Sequence, residues 1–236
     1  MSVSLRKRRR GRATRVRASI PLALVLSLCV LPAGAGSPGE RVFTPEQILH
    51  WDAHSFEGWT RYQLVRKDGR PAVHAVCKGG TASGLFFRGK IDLRKTPVIE
   101  WSWQIAGTLS GVDEKSRSGD DYPARLYVVD EHSLLRWRTR ALNYVWSSEQ
   151  PIGSDWPNAF ASQARMIAVE SGPPEASGWV RERRNLRRDF ERYHGRSLDA
   201  VNALAIMTDC DNTGRPTEAW YGRIRLLPEQ DGSSPQ

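Results

Sequence analysis

The 236-residue chain carries 35 Lys and Arg against 26 Asp and Glu, a net charge of +9 that, taken whole, suggests a nucleic-acid partner. Eight of those bases are Arg6, Lys7, Arg8, Arg9, Arg10, Arg12, Arg15 and Arg17, and no acid precedes Glu40, so the remainder holds 27 bases against 26 acids. That near-neutral balance argues against a nucleic-acid surface, and no apolar run reaches the roughly twenty residues a membrane-spanning helix needs.

The basic start leads into Ile20 to Leu31 (IPLALVLSLCVL) and then Ala33-Gly34-Ala35. A positive segment, an apolar run and a small-x-small site predict a secretory signal over residues 1–35, cleaved after Ala35. Pro32 breaks the run too early for a membrane anchor, and Leu28 stands where a lipoprotein anchor on Cys29 would want a small residue. The arginine cluster also raises twin-arginine export, but the residues after it fit that pattern poorly. The expectation is a periplasmic or secreted protein with no stable membrane anchor after cleavage. It has one domain over residues 36–228 and a disordered tail over 229–236. Cys77 and Cys210 remain after cleavage; they either pair in an oxidising compartment or stay two small apolar side chains.

Thr44-Pro45-Glu46-Gln47 reads as a helix start, with Thr44 as N-cap, Pro45 at the first helical position and Gln47 closing a capping box. From Tyr62 the punctuation is that of strands. Tyr62 to Arg66 and Ala72 to Lys78 flank the turn Lys67-Asp68-Gly69-Arg70, a hairpin signal. Gly84 to Arg88 follows, then Val98 to Ile105, where Trp101, Trp103 and Ile105 alternate with Glu100, Ser102 and Gln104. The stretch Gly119 to Trp146 predicts two more strands, one alternating Arg125, Tyr127 and Val129 with Leu126 and Val128, the other carrying Asn143, Tyr144 and Trp146. Met166 to Val169, Val201 to Thr208 and Ala219 to Leu226 complete the set. One short helix near 186–194 is expected from Leu186, Phe190 and Tyr193 at i, i+4 and i+7, with Asn185 as N-cap and Gly195 as stop. The charged run ERRNLRRDFER reads as its solvated face. The fold class is therefore all-β, a mainly antiparallel β-sandwich of jelly-roll type with one short helix.

Sequence signatures of the serine-hydrolase elbow, dinucleotide fold, P-loop, zinc protease and C-x-x-C are absent. Three acidic segments remain, Asp113-Glu114, Asp120-Asp121 and Asp209-Cys210-Asp211-Asn212-Thr213-Gly214. In the last, Asp209 and Asp211 offer alternate oxygen ligands before a glycine, as calcium loops do; tight Asx-turn chemistry is the ordinary alternative. No cofactor is required on this reading, and a structural calcium is the one metal it suggests. Of nine tryptophans, Trp101 and Trp103 read as core, whereas Trp146, Trp156 and Trp220 fall near strand ends or loops, where an exposed ring suits a sugar.

The segments ASGLFFRGKIDL, P-x-x-x-W-x-W, GDDYPARLYVV, ALNYVW, W-x-x-E-R-x-N at Trp179 to Asn185, MTDCDNTG and AWYG, in that order, resemble the bacterial domain-of-unknown-function 3047 family. The resemblance implies an exported, strand-rich protein and transfers no activity; Cys210 stands where the pattern suggests a small hydroxyl residue. The function expected is binding of carbohydrate or another cell-envelope polymer. Its site would use Asp120, Asp121, Arg125, Tyr127, Asn143, Trp146, Asp209, Asp211, Asn212 and Trp220, extended by Glu100, Ser102 and Gln104. The alternatives are a glycan hydrolase or lyase pairing a carboxylate with Arg125 or Tyr127, and a structural envelope protein without ligand.

Overall fold

Side-chain alternation on β6 (Val98–Ile105) sets the layers: Trp101, Trp103 and Ile105 are buried, while Ser102 and Gln104 between them are only half-buried. The computed structural model describes residues 39–132, 138–175 and 178–229. The expected signal segment 1–35 and the expected tail from 230 onward lie outside the described residues. Glu229, assigned to that tail, is tied down by Arg188, whose Nη2 donates to it at 2.7 Å.

The chain begins with β1 (Arg41–Phe43) and α1 (Pro45–Leu49), whose capping box between Thr44 and Gln47 is formed as expected. Then come β2 (Asp52–Glu57), β3 (Arg61–Lys67), β4 (Arg70–Cys77) and β5 (Ala82–Asp92). Asp68 and Gly69 sit at φ 52° and 75°, the paired positive angles that make the tight turn between β3 and β4 match strand twist. After β6 the chain forms β7 (Arg125–Asp130), β8 (Arg140–Ser147), β9 (Asp155–Pro157) and β10 (Ala164–Ser171). It ends with β11 (Val180–Asn185), α2 (Leu186–His194), β12 (Ala200–Asp209) and β13 (Thr217–Leu227).

These strands form two sheets, ordered β11-β6-β13-β4-β3 with β1 beside β13, and β2-β5-β12-β7-β8-β10-β9. The chain passes between sheets at β1–β2, β2–β3, β4–β5, β5–β6, β6–β7, β10–β11, β11–β12 and β12–β13, the wrap of a jelly roll. Pairing among the described strands is antiparallel except at β8–β10, which run parallel because β9 carries the chain back along the far edge of β10. The acidic and basic residues of Glu182 to Asn185 lie on the edge strand β11, not on the helix; charged side chains suit an edge that must not pair further.

Between the sheets lies one apolar core. Trp101 and Trp103 meet edge to face at 5.3 Å, and Trp101 lies 5.3 Å from Tyr144 of the facing sheet. Leu126, Val128, Leu204 and Ile206 close it from the seven-stranded side. The Tyr144 hydroxyl donates to Asp189 at 2.6 Å, and Arg184 holds the same carboxylate at 2.8 and 2.9 Å, so the first turn of α2 is docked by a satisfied polar network.

Candidate functional site

The face of the seven-stranded sheet turned away from that core is the informative surface. Strand register puts Gly84, Met207, Arg125 and Val145 in one row across it, and Phe86, Ala205, Tyr127 and Asn143 in the next. Gly84 and Ala205 in these rows, with Ala203 and Ala141 in the next, keep part of the floor low. Two cavities, of about 420 and 710 Å³, open over this floor and share Phe56, Tyr127, Ala161 and Ala164, so they form one groove. Phe56 and Phe160 line it while remaining 61% and 54% exposed, which makes them apolar walls open to solvent.

Arg125 anchors one end. Its guanidinium pairs with the Asp209 carboxylate, donates to the Asp120 carbonyl, reaches the Tyr127 hydroxyl at 3.0 Å and lies 4.3 Å over the Tyr122 ring. The Asp120 carboxylate accepts from Asn158 Nδ2 at 2.8 and 3.1 Å. Asn158 Oδ1 in turn accepts from the backbone N–H groups of Phe160 and Ala161, so the buried charge cluster fixes the loop that carries the Phe160 wall. Asp121 points into the other loop, accepting from Asn212 N and Nδ2 and, at 2.6 Å, from Thr213 N. The Cys77–Cys210 disulfide, with Cα atoms 6.1 Å apart, ties this acidic loop to β4.

Burial pushes the Asp209 carboxyl well up from its ordinary range, and Arg125 opposes that shift. Burial likewise raises Asp120 and Asp211. Asp121, Asp209 and Asp211 each bring one oxygen to within 4.8 Å of the others, an arrangement with the right donor chemistry for a hard cation. Its oxygens are heavily used already: Asp209 by Arg125 and Tyr122 N, Asp121 by the Asn212 and Thr213 donors. A calcium ion there would compete with a guanidinium for the same carboxylate.

A family model described as Protein of unknown function (DUF3047) matches residues 49–225, a span holding every groove residue described above. The chain belongs to that family. No curated protein matches it. Among solved structures it is similar to the family 11 carbohydrate-binding module of cellulosomal cellulase Lic26A-Cel5E of Clostridium thermocellum, at 12% identity, 83% coverage of this chain, 98% of that one and a TM-score of 0.46. It is also similar to the family 30 carbohydrate-binding module of the Clostridium thermocellum cellulase Cel9D-Cel44B, at 12% identity, coverages of 76% and 92% and a TM-score of 0.42. A cellulase derived from Cel12A of Rhodothermus marinus gives 9% identity, coverages of 79% and 100% and a TM-score of 0.42.

Of the residues expected from sequence, this DUF3047 chain brings Asp120, Arg125, Tyr127, Asp209, Asp211 and Asn212 to the groove. Asp121 stands behind them as a loop anchor. Asn143 shares the floor with Tyr127 but is buried, donating to Met166 Sδ at 3.2 Å, and its Oδ1 has no partner among the described residues. Four expectations need correction. Trp146 faces the core because its place in β8 has the parity of Tyr144, and its Nε1 donates to the Gly172 carbonyl at 2.9 Å. Trp220 belongs to β13 of the other sheet, stacked on His74 at 4.8 Å, on the opposite side of the sandwich from the groove. Glu100, Ser102 and Gln104 face outward on that same distant sheet and do not extend the groove. Trp156, also expected to be an exposed ring, is buried with Tyr122, Val145 and Met166. The walls Phe56 and Phe160 and the linking Asn158 were not expected. The one sequence signal for Phe56 was its i, i+2 spacing with His54, ahead of Gly58.

Proposed function

We propose that the protein is an exported binding module whose groove takes a neutral glycan chain. The observation that carries this reading is the groove itself: two exposed phenylalanine walls stand over a low floor, with a fixed polar cluster at one end. Sugar rings present apolar faces and hydroxyl edges, and an aromatic-walled cleft with a few oriented polar groups meets both needs. The acids at the groove, Asp120, Asp209, Asp211, Glu57 and Glu131, outnumber its two arginines, the buried Arg125 and an exposed Arg88 already paired with Glu131, an arrangement that favours neutral over acidic polymers. Export is supported by the signal-like start and by a disulfide that suits an oxidising compartment. No cofactor is needed for binding of this kind. Affinity electrophoresis through neutral polysaccharides (β-glucan, xylan) and an acidic one (polygalacturonate) tests it. Retardation by a neutral polymer is expected; free migration through all of them refutes the reading.

A hydrolytic role has one observation in its favour: Asp120 and Asp211 both line the groove with carboxyls raised by burial, as a general acid requires. Asp120, Asp121 and Asp209 are all buried and already hydrogen-bonded, which leaves the half-buried Asp211 as the carboxyl best placed for it. Release of reducing ends that disappears in Asp211→Asn would establish that role.

A further inference from the structure

On the opposite side of the sandwich lies a second pocket, independent of the groove. Strand register puts Arg181 of β11 across from Ser102 of β6. Next along the sheet, β13 shifts register between Tyr221 and Ile224, a bulge whose two residues are Gly222 and Arg223. Bulges break the ladder and re-aim side chains, and they occur beside sites more often than chance. On the far side of β13, β4 contributes Arg70 and Pro71. A cavity of about 550 Å³ opens at this row, with Trp179 also in its lining. Gly222 makes room for it: a Cβ there would lie 2.2 Å from Ser102 Oγ and 3.4 Å from the Trp179 ring.

Nearly everything offered in this pocket is a donor. Arg70, Arg181 and Arg223 are exposed, and among the described residues none of the three has an ion-pair partner. Among the described residues the Ser102 hydroxyl has no hydrogen-bond partner and the buried Trp179 indole N–H has no acceptor. Glu46 is the one acid in the lining, leaving three guanidinia against a single carboxylate. Unpaired guanidinia converging on one cavity are suited to an oxyanion, whose oxygens accept from the planar fork.

We infer that this pocket is a second binding site, specific for an oxyanion substituent (a carboxylate, phosphate or sulfate) on a ligand whose body lies against Trp179. It stands whether or not the groove binds a glycan, because no side chain is shared between the two linings. The test is an NMR titration of the whole protein with inorganic phosphate, sulfate and glucuronate in turn, following the Trp179 indole N–H. The same titration is run on Arg181→Gln/Arg223→Gln, and Arg70→Gln serves as a second variant. At least one anion should shift the Trp179 signal saturably and salt-sensitively, with affinity falling at least about tenfold in the double variant. Phe56→Ala in the groove should leave that affinity unchanged. Stronger binding of glucuronate points to a carboxylated sugar as source, and stronger binding of phosphate or sulfate to an ester. No saturable shift with any of the three, or equal affinity in wild type and both arginine variants, overturns the inference.

Discussion

Arg125→Met separates a structural arginine from one that grips ligand. The side chain is 3% exposed and holds the buried Asp209 carboxylate, the Asp120 carbonyl and the Tyr127 hydroxyl together. Methionine keeps most of the stem but leaves Asp209 without its cation. Removing one partner of a buried ion pair costs about 3–5 kcal/mol, which for a domain of this size lowers the melting temperature by about 6–20 °C. In the variant, Asp209 loses the charge that opposes its upward shift, so the folded state holds its proton more tightly still. The sign follows: the deficit should shrink as pH falls from 8 toward 5 and widen as pH rises. Replacing both partners, Arg125→Met with Asp209→Leu, should recover much of the loss, and calorimetric melting of the four proteins forms a double-mutant cycle. An Arg125→Met protein that melts within about 2 °C of wild type, or a double variant as unstable as the sum of its parts, would refute the assignment of Arg125 as the groove's structural anchor.

Replacing Cys77 and Cys210 with alanine opens a link spanning 133 residues and should cost up to about 5 kcal/mol, read by urea unfolding with and without reductant. Burial, together with the hydrogen bond that protonated Glu182 donates to Glu170 and the charge of that neighbour, pushes Glu182 up to about 8. Because that folded pKa lies above the unfolded value, its stabilisation is complete below about pH 4.5 and is lost as pH rises through 8. Glu182→Gln should therefore flatten the fall in stability over that window, which for one proton is at most about 1.4 kcal/mol per pH unit. Calcium should leave the melting temperature unchanged, since Arg125 and backbone donors already occupy the Asp121 and Asp209 oxygens; a saturable rise would show that the ion displaces them.

The elements legible in the sequence are those whose cause is local. Lys67-Asp68-Gly69-Arg70 folds as read because Asp and Gly tolerate the two positive φ angles. The helix Leu186–His194 begins on its Asn185 cap and stops at Gly195, φ 63°, again from chemistry within a few residues. Side-chain parity on β6 and β7 was also readable. What parity does not reveal is which sheet a strand joins. Glu100, Ser102, Gln104 and Trp220 do face outward, but from the six-stranded sheet, a fact decided by pairings across more than 100 residues. The same limit hid Trp146, whose partners Trp103 and Gly172 come from elsewhere in the chain. Phe56 escaped because β2 is exposed along both faces and shows no apolar alternation, and Phe160 because its loop is shaped by Asn158 and Asp120. The two halves of the site, around Asp120–Arg125 and Asp209–Asn212, do meet, joined by the Arg125–Asp209 pair.

The groove as a glycan site is tested most directly by Phe56→Ala/Phe160→Ala, run beside wild type in affinity gels over the same neutral polysaccharides, with melting as a control. Both rings are more than half exposed, so the fold should keep its melting temperature within a few degrees, roughly what exposed substitutions do. Losing two aromatic walls should cost about 1–2 kcal/mol each, which reduces affinity by at least about tenfold and abolishes most of the retardation. Undiminished retardation of a stably folded double variant would contradict the account.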